Sequence, residues 1–212
     1  MLEIVKYPHP ALRYASRPIE QIDDALRSTV RAMFDLMYEA RGIGLAANQV
    51  ALPFRFFVLN LTADPAQTDQ EQVFINPEIV KRHSSTEGEE GCLSLPGLYA
   101  NVRRAKRIRV RAYDLEGNPI EHDADELFSR AVQHETDHLD GRLFIDYLEP
   151  TVLRASEDKI REFEREYLQA QRGGAIPPDD ELRRRLAEMK APPAVPPREA
   201  APAPAEGPDA SE

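Results

Sequence analysis

The residues best suited to chemistry are two histidines and a glutamate in the run His134-Glu135-Thr136-Asp137-His138. Histidines four positions apart on a helix project only about 40° apart around its axis, so both imidazoles can reach one ion. The three side chains continue an apolar helical stripe and are therefore expected to be buried. Buried ionisable groups need compensation, which a metal ion supplies. The run predicts a metal site rather than an accidental pair.

A catalytic site of this kind usually has three protein ligands and a water, so two histidines leave one ligand unassigned. The candidates are another histidine, a carboxylate and Cys92, the one cysteine of the chain, in the tight segment 90–97. A thiolate is a strong ligand for a first-row divalent ion. A lone cysteine can equally be a small buried hydrophobe, and residue types alone leave both interpretations open.

The metal motif requires a helix, which the apolar spacing predicts over residues 125–139, before Gly141. Its predicted apolar side consists of Leu127, Phe128, Ala131, Val132 and Leu139. Further helices are predicted over residues 21–40 and 153–171, and strands over residues 54–61, 72–80 and 102–113. The order lacks strand–helix alternation, which favours an α+β fold: antiparallel sheets around a central helix that carries the metal motif, with a C-terminal helix.

Composition limits the class of protein. A length of 212 residues suits one domain, and 42% hydrophobic with 30% charged residues is typical of a globular chain. No apolar run is long enough to span a bilayer and no signal peptide opens the sequence, so a cytoplasmic location is expected. A net charge of −10 argues against unspecific binding to nucleic acid or to an anionic membrane. No membrane partner and no specific nucleic-acid binding are expected.

Three segments are predicted along the chain. Residues 1–172 form the catalytic domain. Residues 173–190 are a linker that could contain a short helix from Asp179, because its acids precede its bases as a helix dipole prefers. Residues 191–212 are mostly proline and alanine, have little to bury, and are expected to be a disordered tail.

Three short motifs resemble, in order and approximate spacing, the signatures of the bacterial peptide deformylases. They read Gly-Ile-Gly-Leu-Ala-Ala-Asn-Gln at 42–49, Glu-Gly-Cys-Leu-Ser at 90–94 and Gln-His-Glu-Thr-Asp-His at 133–138. The resemblance covers about residues 1–149. It implies a metal-dependent hydrolase that removes the formyl group from the N-terminal N-formylmethionine of newly made polypeptides and releases formate. Ferrous iron is the usual ion of the family, and zinc, nickel or cobalt suit the same ligands.

The resemblance also assigns roles to residues. It implies that Cys92, His134 and His138 hold one divalent ion and that Glu135 is the general base and acid. Formamide hydrolysis at neutral pH needs a nucleophile stronger than water, and a metal-activated water is one. Glu135 cannot be a ligand if both flanking histidines are, yet it would lie within reach of that water.

The glutamine matching Gln49 and the backbone N–H of Leu93 are implied to hold the oxyanion. Substrate contacts are implied at Ile43, Gly44, Gly91, Leu127 and Ala131. The chain departs from the family pattern at two positions, because Arg130 stands where some members have an aliphatic residue and Tyr99 where others have arginine.

Two alternatives compete with a deformylase. A zinc peptidase would use the same histidines and glutamate without requiring Cys92 or Gln49. A non-catalytic relative that binds peptides would be expected to lack a ligand or Glu135.

The expected partners are N-formylmethionyl peptides and, transiently, the ribosome, which the family contacts through its C-terminal helix. The four bases and five acids of residues 153–171 are a poor footprint for RNA. The arginines at 183–185 are a better candidate for such a contact, although a solvated helix face explains them equally well.

Overall fold

The computed structural model describes residues 2–195, and within them the chain forms four α-helices and seven β-strands. The helices are α1 (Asp24–Glu39), α2 (Glu126–Leu139), α3 (Pro150–Arg172) and α4 (Asp179–Glu188). The strands are β1 (Gly44–Ala46), β2 (Phe56–Leu59), β3 (Gln72–His83), β4 (Thr86–Cys92), β5 (Leu95–Arg104), β6 (Arg107–Tyr113) and β7 (Pro119–Asp125). In this part of the chain, no helix combines the length and the apolar character needed to cross a bilayer.

Five strands form an antiparallel sheet in the order β1-β2-β3-β6-β7, and β4 pairs with β5 as a separate hairpin. The alternation of side chains along β2 explains how the sheet is covered. Phe56 and Val58 pack in one core with α1, while Phe57 and Leu59 pack in another with α2. Because Arg130 of α2 also contacts both strands of the hairpin, α2 lies between the sheet and the hairpin, which confirms the predicted α+β architecture.

The predicted strand over residues 102–113 is two strands, since β5 ends at Arg104 and β6 begins at Arg107. The side-chain amide of Gln133 on α2 binds both backbone groups of Ala105 at this break, accepting from N–H at 3.1 Å and donating to C=O at 2.9 Å. The alternation of apolar residues lapses between Val102 and Ile108, but no glycine or proline marks a turn there, so the sequence predicts one continuous strand.

The strands β4 and β7 were missed because both are rich in acids and β4 contains two glycines, a composition that disfavours strands. Both gain their strand geometry from pairing along their length with β5 and β6 respectively. The helix α1 begins three residues later than predicted, because Asp23 caps it by accepting a hydrogen bond from the N–H of Leu26 at 2.8 Å.

The short C-terminal helix is present as α4, and it packs on the domain through the buried Leu182 and Leu186. The guanidinium of Arg17 donates to the carbonyl of Leu186 at 3.1 Å, near the end of α4. Pro192, within the predicted tail, is buried, and Thr29 on α1 donates to the carbonyl of Pro193 at 2.5 Å. The rest of the predicted tail, residues 196–212, lies outside the described residues.

Candidate metal centre

Three ligand-type side chains converge beside α2. The ligand atoms of Cys92, His134 and His138 all lie within 4.8 Å of one another, and Sγ of Cys92 is 3.2 Å from Nε2 of His138. Cys92 ends β4 after a register shift at Gly91, and such bulges redirect a side chain. One thiol and two imidazoles form a donor set that fits a first-row divalent ion.

The orientation of His134 is fixed by a buried carboxylate. Nδ1 of His134 donates to Oε2 of Glu90 at 3.0 Å, which leaves Nε2 free to act as the ligand. The guanidinium of Arg104 donates to both carboxylate oxygens, at 2.8 and 2.9 Å. Burial raises the pKa of Glu90, but the hydrogen bonds and charges of Arg104 and His134 outweigh it and hold that pKa well below its ordinary value.

Arg104 joins Glu90 to a second acid, because its other terminal nitrogen pairs with Asp137. Its guanidinium also lies 4.7 Å from the centre of the Tyr147 ring, a cation–π contact. Sequence reasoning missed this network. Two local features could have indicated it: Asp137 lies inside the metal motif, and Glu90 lies two residues before Cys92.

The two imidazoles differ in their surroundings. Burial and the neighbouring His134 lower the pKa of His138 well below its ordinary value, so this ring is neutral, as a ligand must be. Burial also lowers the pKa of His134, but Cys92 and Glu90 outweigh it and place that pKa well above the ordinary value. The carbonyl of His138 accepts a hydrogen bond from the side chain of Asn48, which ties α2 to the segment after β1.

Glu135 is buried beside the ligands without belonging to their group. Its Oε2 has no hydrogen-bond partner, and burial raises its pKa to about 7, against the opposing charge of His134. A Cβ at position 44 would lie 2.5 Å from Oε1 of Glu135, so only glycine leaves room for this carboxylate. Gly44, predicted as a substrate contact, therefore also shapes the space around Glu135.

Gln49 points its amide nitrogen at the thiol. The side-chain oxygen accepts the backbone N–H of Ala46 at 2.9 Å, which turns Nε2 toward Sγ of Cys92 at 3.4 Å and Oγ of Ser94 at 3.2 Å. Leu93 lies in the tight turn between β4 and β5, adjacent to Cys92. Both predicted oxyanion donors thus flank the ligand cluster.

A cleft of about 460 Å³ opens onto this cluster. Its walls include all five predicted substrate residues, Ile43, Gly44, Gly91, Leu127 and Ala131. Cys92, His134 and Glu135 also line it, whereas His138 lies buried behind it. The arrangement can present a polarised carbonyl of a bound substrate to a base and to hydrogen-bond donors.

The surroundings of three residues of the cleft were not evident from the sequence. Leu127 was placed on the buried side of its helix, yet it is 51% exposed because it faces the open cleft. Tyr99 is exposed at the rim and covers Gly91, where a Cβ would lie 2.5 Å from its ring. Arg130 lines the cleft but directs its guanidinium at Glu90, 2.7 Å away.

The chain is also similar to known proteins, both in sequence and in structure. A model of the polypeptide deformylase family matches residues 1–154. A peptide deformylase of Rhodopirellula baltica is 45% identical over 190 residues, covering 90% of this chain and 94% of the relative. One from Alkalilimnicola ehrlichii is 50% identical over 148 residues, 70% of this chain and 82% of the relative. The crystal structure of a Plasmodium falciparum peptide deformylase aligns with a TM-score of 0.77 at 39% identity, covering 79% of this chain and 98% of that one.

Proposed function

This chain belongs to the polypeptide deformylase family, and from that premise we propose that Cys92, His134 and His138 hold the divalent ion its reaction requires. The reaction is removal of the formyl group from the N-formylmethionine of new polypeptides, with release of formate. The convergence of one thiol and two imidazoles within 4.8 Å, at the wall of a cleft, is the observation that carries the assignment.

Glu135 is the proton carrier of the reaction. A divalent ion in this site would acidify a water and polarise the formyl carbonyl. Glu135 takes the proton from the attacking water and gives it to the amide nitrogen that leaves. Its unpartnered Oε2 and its raised pKa, about 7, support this role, since a base works best with a pKa near the working pH.

Gln49 and Leu93 stabilise the charge that develops on the former formyl oxygen. The bond from Ala46 N–H to the oxygen of Gln49 leaves the Gln49 amide as a donor aimed at the site. The backbone N–H of Leu93 is the second donor. Donors that are already oriented stabilise such charge without further reorganisation.

The peptide lies along the cleft as an added strand. The strand β1 is at the edge of the five-stranded sheet, and its first residue, Gly44, lines the cleft. An extended peptide can hydrogen-bond to such an edge while its side chains enter pockets. Ile43, Leu127 and Ala131 offer the apolar surface for methionine, and Gly91, which lies against the ring of Tyr99, lines the same cleft.

The native ion is Fe(II), and the enzyme works in the cytoplasm, where it meets new chains in transient contact with the ribosome. Zinc, nickel or cobalt would suit the same three ligands, so metal analysis of anaerobically purified protein tests the assignment. Two of the three arginines of α4 give the ribosome contact little support, because Arg183 pairs with Asp179 and Asp180 and Arg185 pairs with Glu181. Residues 1–172 are proposed as the catalytic unit.

The test is to measure formate, acetate and free methionine from formyl-methionyl, acetyl-methionyl and methionyl peptides, with and without a chelator. Chelator-sensitive formate release, much faster than acetate release, is expected. Methionine release without formate would instead identify the zinc peptidase, and absence of any release would favour a peptide-binding relative. Cys92→Ala should lose both the ion and the activity. Full metal occupancy in that variant would remove Cys92 from the site.

A further inference from the structure

Arg130 is a largely buried cation to which the reaction gives no role. Its side chain is 12% exposed, although it lies on the cleft wall. Nη1 donates to Oε1 of Glu90 at 2.7 Å and to the carbonyl of Val102 at 2.9 Å, and Nη2 donates to the carbonyl of Thr86 at 3.3 Å. One guanidinium on α2 therefore binds both strands of the β4–β5 hairpin.

These contacts connect the two elements that supply the ligands. Cys92 lies at the end of β4, whereas His134 lies one turn after Arg130 on α2. Glu90 stands between them, accepting from Arg130 on one oxygen and from His134 on the other. A change in the distance between hairpin and helix would move the thiol away from the imidazoles.

The hairpin is shaped to admit this guanidinium. A Cβ at Gly88 would lie 2.8 Å from Nη2 of Arg130, so a side chain at that position would displace it. Lysine, with a single terminal nitrogen, cannot reproduce donors pointing in two directions from a planar group. The contacts are therefore specific to arginine.

We infer that Arg130 is a positioning residue that locks the β4–β5 hairpin to α2 through Glu90 and so sets the affinity of the Cys92, His134 and His138 site for its ion. The inference rests on the proposed metal site. Removal of groups that orient metal ligands typically weakens metal binding by about 10- to 100-fold. Because Arg104 also holds Glu90, about tenfold is expected here.

The experiment titrates metal-free protein with Co(II) against a competing chelator and records the absorption bands of the bound ion, which report its ligand geometry. Arg130→Met should raise the Kd for Co(II) about tenfold and shift these bands, and Arg130→Lys should fall between it and the unmodified chain. Arg111→Met is the control, because Arg111 pairs with Glu121 on the outer face of the sheet, with 63% of its side chain exposed. The control should leave Kd and bands unchanged.

A Kd for Arg130→Met within twofold of the unmodified chain, with unchanged bands, would overturn the inference even if the peptide KM rises, since Arg130 would then only line the cleft. If Arg130→Met does not fold, Arg130→Lys decides by the same criterion. In a Glu90→Gln background the effect of Arg130→Met should fall below threefold, and a persistent tenfold effect would show that it does not act through Glu90. Failure of the unmodified chain to bind Co(II) would instead contradict the proposed metal site itself.

Discussion

Ion pairs of similar length occur in two regions of this molecule with opposite consequences. Behind the candidate metal centre, Arg104 and Glu90 lie 2.8 Å apart with about 5% of each side chain exposed. On the outer face of the sheet, Arg111 and Glu121 lie 2.5 Å apart with 63% and 41% exposed. Water screens the outer pair and makes its contribution to stability small, whereas removal of Arg104 inside would leave two largely buried carboxylates, Glu90 and Asp137, without the cation they share. Burial, rather than distance, separates the two.

The two regions also differ in what their charges do. The buried network binds a ring nitrogen of His134 and joins the hairpin to α2, so it orients a residue of the candidate metal site. The outer charges lie on β6 and on β7, the far edge strand of the sheet. Charged side chains on an edge strand hinder pairing with other chains, so their role is solubility rather than chemistry.

The largest difference between the regions is expected in the effect on kcat of replacing a glutamate by glutamine. Glu135→Gln should keep the ion and the peptide affinity but lower kcat by about 10²- to 10⁴-fold, because the amide cannot carry the proton. Glu121→Gln, on the outer face, should leave kcat within twofold. Steady-state formate release and metal analysis measure both. Metal loss in Glu135→Gln would mean that this carboxylate supports the site instead of carrying protons.

Replacement of an arginine should lower the free energy of unfolding much more in the buried region than on the outer face. Arg104→Met should lower the free energy of unfolding of the metal-free protein by about 3–5 kcal/mol, because Glu90 and Asp137 lose their shared cation. Arg111→Met should cost less than about 1 kcal/mol. Urea unfolding followed by circular dichroism gives both values. Equal losses would contradict the distinction drawn from burial.

Truncation tests a third region, the helix α4, which packs on the domain through two buried leucines. Removal of residues after Gly174 deletes the buried Leu182 and Leu186, and should lower the free energy of unfolding by about 2 kcal/mol after the entropy of ordering α4 is subtracted. The catalytic efficiency on a small formyl peptide should change less than tenfold, because α4 does not line the cleft. Truncation after Val195 keeps α4 and the hydrogen bond from Thr29 to the carbonyl of Pro193, and serves as the control. A larger loss of efficiency would mean that α4 positions the site.

The smallest effect is expected from salt on the outer pairs. Asp123 accepts from Arg109 at 2.7 Å but is highly exposed. Asp123→Asn should lower the unfolding midpoint in urea only slightly in dilute buffer, and the difference should vanish in about 0.5 M NaCl, because ions screen exposed charges. A difference that persists at high salt would show that the outer charges are less solvated than their exposure indicates.

Local patterns predicted much of the fold and of the candidate site. The spacing of Leu26, Val30 and Met33 predicts the face of α1 that the structure buries. The signature motifs resembled a family that the comparisons confirm, and the structure brings their cysteine and histidines together. Such features depend on residues a few positions apart, whose relation is set by helix geometry and turn chemistry.

Other features required the tertiary structure. Leu127 continues an apolar stripe in sequence, but whether it faces a core or an open cleft depends on where the hairpin lies. The end of β5 and the start of β6 depend on Gln133 of α2, and the burial of Leu182 and Leu186 on α4 depends on surface offered by distant residues.

The sequence by itself determined that His134 and His138 share one face of a helix, because the helical period requires it. It did not determine that Glu90, Arg104 and Arg130 meet behind them, since each is an ordinary charged residue until the chain folds. Arg104 is 14 residues from Glu90, and Arg130 is 40 residues away. Only the packing of the β4–β5 hairpin against α2 removes these charges from water together. There Glu90, held by the two arginines, orients the ring of His134, a candidate metal ligand.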